Sequence, residues 1–312
     1  MKFSLLNMKS YIVKIFLVTY FINLGIVNAA TSKPLQVLKV PKARSSFDIS
    51  HDYHLTLLNM AMAQAAKGRP VPTLEVMTTR MSQGRAITEL VKGEILDVYW
   101  LGSDKATDRQ LRAIKIPTTR GLIGFRNFII HRDSIDLFDK VTSVADLQQF
   151  IACQGSHWPD TKVLEEAKLP VITSTIYENL FKMLNAKRCD YFPRAYHDID
   201  NELLSINQQY PDLIKYRRIL FHYPFAVYFY TNKANQELAH WIEDGLRQLA
   251  NEGAIQGFMA KHRLTKSIFP LNSESHDLYL PLKNSQFDQS SNLSDQKLWV
   301  IPKDFSIKVK LQ

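Results

Sequence analysis

The sequence predicts an α/β protein built from two similar α/β lobes joined by a two-strand hinge. Three observations carry this. A strand–helix alternation occurs twice along the chain. An extended apolar segment follows each occurrence, "GLIGFRNFIIH" at 121–131 and "FAVYFYTN" at 225–232. The long amphipathic helix expected over 235–250 then has no lobe of its own, so the chain returns to the first. The expected division is a signal peptide at 1–29, a discontinuous first lobe at 30–126 and 226–312, and a second lobe at 127–225.

The first 29 residues carry Lys2, Lys9 and Lys14, no acidic residue, and an apolar run from Ile15 to Val27. That run is too short to span a ~30 Å hydrocarbon core comfortably. Val27-Asn28-Ala29 places small side chains at the positions a signal peptidase reads, so a cleaved secretory signal is expected, with an uncleaved anchor as the alternative. The whole chain has 312 residues, 46% hydrophobic and 22% charged, with 11 Gly and 13 Pro, which excludes disordered and collagen-like classes. Lys plus Arg exceeds Asp plus Glu by 39 to 30. In an exported protein that excess favours anionic ligands or an anionic surface over nucleic acid. Cys153 and Cys189 are too few for a zinc site; the compartment permits a disulfide between them, and a buried thiol pair is the other reading.

In the first lobe a strand is expected at 35–40, closed by Pro41, then a helix at 53–66 with Leu55, Leu58 and Met62 on one face. Gly68 and two prolines end it. A strand at 73–77, a helix at 82–91 and a strand at 95–100 follow, and this alternation implies parallel pairing. In the second lobe helices are expected at 144–150 and 160–167, and strands at 151–153, 171–173 and 189–192. Thr175 with Glu178 reads as a capping box opening a helix whose Ile176, Leu180 and Leu184 share a face. The two lobes share punctuation: "LVKGEILDVYW" and "MLNAKRCDYFP" both run from helix end through a basic turn and Asp into an aromatic strand. Residues 284–296 are rich in Ser, Asn, Gln and Asp and read as a solvated loop, after which "LWVIP" suggests that the tail docks again.

Ligands in open α/β sheets bind beyond the carboxyl ends of strands, and the candidate residues lie there. Arg109 follows the strand ending at Trp100 and suits bidentate capture of a carboxylate, unless it is a surface arginine. Ser103 and Asp104 share its loop. Ser156 and Trp158, in the Gly155-Ser156-His157-Trp158 turn into a helix, suit an anion, unless Ser156 only caps that helix. Arg194 follows a second-lobe strand, and Tyr53 and Trp100 can line the cleft, with plain core the alternative for Tyr53; Arg85 is a weaker candidate. Arg109, Arg194 and the Gly155-Ser156 helix entry offer donors and no buried acceptor, which predicts a carboxylate-bearing solute. His51 and His54, with Asp52 between them, can put both rings on one helix face, but no third metal ligand is evident and they read as a polar helix start. There is no P-loop, dinucleotide fingerprint, Gly-x-Ser-x-Gly or Cys-x-x-Cys, so no cofactor or metal is expected.

The segments "GEILDVYWLGSDKATDRQ", "SVADLQQFIACQGSHW" and "LANEGAIQGFMAKH" together resemble the type II periplasmic solute-binding proteins, and most closely the amino-acid-type branch, bacterial extracellular solute-binding protein family 3. The resemblance covers about 35–263. It implies a monomeric periplasmic protein, not an enzyme, that captures a small polar solute between two closing lobes and serves an ABC-type membrane permease or a sensor ectodomain. Two departures remain open. The family's ligand strand usually ends in an acid that holds an α-ammonium, whereas "DYFPRAY" places Pro193 and Arg194 there. Some relatives on this fold are dehydratases or lyases needing a cleft carboxylate, and Asp104 is the acidic candidate. A third reading has the cleft filled by side chains and the protein acting only through its surfaces.

Overall fold

The computed structural model describes residues 37–45, 48–288 and 291–310. The expected signal peptide lies outside them. Among the described residues no helix is long and apolar enough to cross a membrane.

The described residues begin with β1 (Val37–Val40), α1 (Ile49–Gln64), β2 (Thr73–Val76), α2 (Gln83–Lys92), β3 (Val98–Gly102), α3 (Lys105–Gln110) and β4 (Arg112–Ile114). They continue through β5 (Phe125–His131), α4 (Ile135–Phe138), β6 (Ala152–Gly155), α5 (Pro159–Glu166), β7 (Val171–Ser174), α6 (Tyr177–Asn185), β8 (Tyr191–Ala195), α7 (Ile199–Ile206) and β9 (Leu213–His222). They return with β10 (Val227–Thr231), α8 (Gln236–Asn251) and α9 (Ala254–Lys261), and end with β11 (Ser275–Pro281) and β12 (Ser306–Lys310).

The two halves are built alike. In the first, β1 and β2 pair in parallel and β10 lies antiparallel between β3 and β4. The Asp97 N–H donates to the Lys39 carbonyl at 2.9 Å and the Lys39 N–H to Asp97 Oδ2 at 2.7 Å, joining β1 to the entry of β3. The order is therefore β2-β1-β3-β10-β4. In the second half the order is β7-β6-β8-β5-β9, with β5 antiparallel to both neighbours. Each half thus accepts one antiparallel strand from a crossover, which a parallel strand–helix alternation does not reveal.

The tail departs from the expected division. The sequence places residues 226–312 in the first lobe, but β11 pairs in parallel with β9, and β12 with β11, extending the second sheet to seven strands. The open edge of β9 accepts the ladder, while Leu278 and Leu280 enter the same apolar cluster as Phe128 and Phe221.

The helix 236–251 matches its pattern: Leu238, Trp241, Ile242, Gly245 and Leu249 are buried. A Cβ on Gly245 would overlap the Ala61 carbonyl, so glycine is what lets α8 lie directly on α1. The expected capping box at Thr175 does not form. The α6 helix starts two residues later, and Ser174 Oγ accepts from the Ile176 N–H at 3.1 Å instead. Cys153 and Cys189 form a disulfide with Cα atoms 5.7 Å apart, inside a cluster with Phe181 and Phe192.

Candidate ligand cleft

The carboxyl ends of β1, β3 and β8, and the turn after β6, converge on one cavity of about 90 Å³, lined from both halves. An adjoining chamber of about 360 Å³ shares Arg44, Gln83, Tyr99 and Trp158 with it as lining.

Of the residues named from sequence, Trp100, Trp158 and Arg194 line the cavity, and Ser156 and Trp158 line the adjoining chamber. Tyr53, Ser103, Arg109, Asp104 and the weaker candidate Arg85 line neither space. Tyr53 is core: its hydroxyl donates to the Thr118 carbonyl at 2.7 Å and its ring packs on Phe258. Ser103 is buried outside the lining, where its N–H donates to the Ala226 carbonyl at 2.9 Å. Arg109 is exposed on α3, a helix that forms where a loop was expected and turns the side chain to solvent. Asp104 accepts from the Thr107 N–H at 2.8 Å as the N-cap of α3, which occupies the carboxylate considered for acid–base work. His51 and His54 also line the cavity, held by the Pro41 carbonyl at 2.7 Å and the Ser50 carbonyl at 2.6 Å.

Trp100 is braced by His54, which lines the cavity beside it. The His54 ring stacks on it with centroids 5.1 Å apart and planes 3° from parallel, and His54 Nε2 meets Thr118 Oγ1 at 3.1 Å. Burial pushes His54 down to about 3, so the brace is neutral at physiological pH.

Arg194 projects from β8 into a box of aromatic faces, with Phe192, Trp158 and Tyr177 ring centroids 4.8, 5.0 and 5.6 Å from its guanidinium carbon. It grips Glu202 on α7 through Nε at 2.7 Å and Nη2 at 2.5 Å, with Asp198 Oδ2 at 3.6 Å. Burial pushes the guanidinium pKa down, but the Glu202 charge and hydrogen bonds outweigh it and hold it well above the ordinary value. Burial raises the Asp198 carboxyl, with Arg194 and Arg44 opposing. Burial, with Arg126 and Arg194 adding to it, pushes His197 down to about 3.

Sequence reasoning missed Arg126 altogether. It sits on β5, inside the apolar run read only as a crossover, and is 2% exposed. Its Nη2 donates to Asp160, which also accepts from the Tyr223 hydroxyl. Its Nη1 reaches the Pro193 carbonyl only at 3.5 Å, and its Nε has no partner. An arginine interrupting apolar residues was the available signal, since such a charge is stable only when paired. Asp48, Asp160 and Asp198 also line the cavity, and Glu202 lies behind Arg194. The expectation of donors without buried acceptors is therefore corrected. The acids come from the residue before α1, from α5, and from α7 and the turn into it, segments whose convergence no local pattern encodes.

No family model matches the chain, and no curated protein matches it. Solved structures do. A histidine kinase sensor domain with similarity to periplasmic binding proteins superposes with a TM-score of 0.54 at 14% identity, covering 74% of this chain and 97% of that one. An amino acid ABC transporter substrate-binding protein from Streptococcus pneumoniae, bound to L-arginine, gives 0.53 at 17% identity, covering 72% and 93%. An ancestral amino acid-binding protein, a precursor of cyclohexadienyl dehydratase, gives 0.51 at 13% identity, covering 72% and 94%. The fold is thus the two-lobed α/β fold of periplasmic amino-acid-binding proteins, a fold that also serves as a sensor domain.

Proposed function

We propose that the protein is an exported solute-binding protein that captures a small carboxylate-bearing solute, an amino acid or organic acid, between its lobes in the periplasm. It then presents the solute to a membrane permease or a sensor ectodomain. In this reading residues 1–29 direct export, and the lobes meet at the crossovers near residues 126 and 226. The observation that carries it is Arg126: a buried guanidinium lining the cavity, with one N–H unpartnered and a second only weakly held. An anion in the cavity supplies the missing acceptor.

The remaining charges refine the ligand. Lys42, Arg44, Arg126 and Arg194 line the cavity with Asp48, Asp160 and Asp198, and Glu202 backs Arg194. This balance suits a zwitterion better than a lone anion, with Asp198 as the acceptor for an ammonium group. Asp198 thereby takes the part of the acid that the end of the ligand strand lacks.

The test is calorimetric titration of amino acids, organic acids and sugars into the wild type, Arg126→Lys and Arg109→Ala. Lysine keeps the charge beside Asp160 but loses the guanidinium fork, so Arg126→Lys should weaken binding about tenfold or more, the loss of one charge-assisted contact. Arg109→Ala should bind like the wild type. A neutral sugar that binds tightly while carboxylates do not would contradict the reading.

A further inference from the structure

The hinge expected from the sequence is crossed by the C-terminal segment, and we infer that this segment is a strap holding the two lobes at a fixed separation. It goes beyond the ligand reading and needs no ligand.

The strap starts on the second sheet, where Leu278 to Pro281 pair with Ile219 to His222, the last residues of β9. It runs beside the second crossover: the Leu282 N–H donates to the His222 carbonyl at 2.7 Å and Asn284 Nδ2 to the Pro224 carbonyl at 2.9 Å. Ser285 Oγ donates to Glu166 on α5, in the second half. The chain then reaches the first half. Phe287 and Trp299 enter the cluster of Leu90, Tyr99 and Tyr228, and Lys115 Nζ meets Asp288 Oδ2 at 2.5 Å.

Its return path grips the first crossover. The Val300 N–H donates to the Arg120 carbonyl at 2.8 Å, and Arg120 Nη2 donates to the Gln296 carbonyl. The Trp299 ring lies so close over Gly121 that a Cβ there would overlap it. Phe305 stacks on Phe125 with centroids 4.5 Å apart, and β12 closes the circuit on β11. Both crossovers and both halves are therefore tied by one segment. A hinge opens by dihedral changes in its crossing strands with the lobes moving as bodies. Here such motion must first pull Trp299 out of the first half or strip β11 from the second. The strap makes the cleft a preset site and couples any opening to its own release.

The test places spin labels on Arg85→Cys in α2 and Lys182→Cys in α6, both exposed, and measures their distance distribution in the full chain by electron double resonance. The intact protein should give one narrow distance. Trp299→Ala should add a second, longer distance holding roughly a tenth or more of the molecules, a minor state made measurable. Should Trp299→Ala fail to fold, a protease site at 291–296 is cut after folding and the released C-terminal peptide is removed by gel filtration, with the same widening expected. A distribution as narrow after either treatment as before, or two distances already present in the intact chain, would overturn the strap. Neither result bears on whether the cleft binds a carboxylate.

Discussion

Arg194→Ala is expected to lower the free energy of unfolding by about 3–5 kcal/mol, the cost of leaving a buried charge without its partner. The guanidinium is buried and is held by Glu202 at 2.7 and 2.5 Å, with Asp198 at 3.6 Å. Without it two carboxylates remain beneath aromatic side chains. The loss should shrink in acid. Burial raises the Asp198 carboxyl and Arg194 opposes that rise, so removing Arg194 raises it further. A carboxyl whose folded-state pKa exceeds its unfolded value favours folding below that unfolded value and loses the contribution as pH rises through the folded one. The gap between variant and wild type should therefore be widest at neutral pH and narrow as pH falls toward the ordinary carboxylate range. Guanidinium unfolding of both proteins across that range measures it. An equal gap at every pH would place the cost in lost packing against Trp158 and Phe192 rather than in stranded charge.

Removing the disulfide has the next largest expected effect. Cys153 and Cys189 are 36 residues apart, and cross-linking a loop of that length restricts the unfolded chain by about 4 kcal/mol in the chain-entropy account. Cys153→Ala with Cys189→Ala should move the unfolding midpoint to lower denaturant and steepen the slope, because the uncross-linked unfolded chain exposes more surface. Both sulfurs lie in a closed apolar cluster, so reductant should act on the native protein only as fast as that cluster opens. Rapid reduction of the folded protein with no loss of stability would show that the bond contributes nothing.

Most of the fold was legible because it is local. Alternating strand and helix signals located the elements, and the 3.6-residue period of Leu238, Trp241, Ile242, Gly245 and Leu249 gave the buried face of α8. What was not legible depends on pairing between distant residues. Nothing near Phe225 says that the strand after it runs antiparallel between β3 and β4, and nothing near Ser275 says that it will add to β9. The same limit explains the site. Trp100, Trp158, Ser156 and Arg194 line the cleft spaces because each lies at or just beyond the carboxyl end of a strand. Arg109 lies beyond β3 too but does not line them, because α3 forms immediately after β3 and turns it to solvent. Arg126 was hidden because its partner Asp160 is 34 residues away, on α5.

The most direct test of the ligand cleft is native mass spectrometry of freshly purified wild-type protein beside Arg126→Lys. The account predicts that the wild type carries a co-purified solute of amino-acid or organic-acid mass that dissociates on mild activation, and that the variant has lost most of it. A wild type that stays free of any small molecule at saturating amino acids and organic acids, or an adduct retained equally by Arg126→Lys, would contradict it.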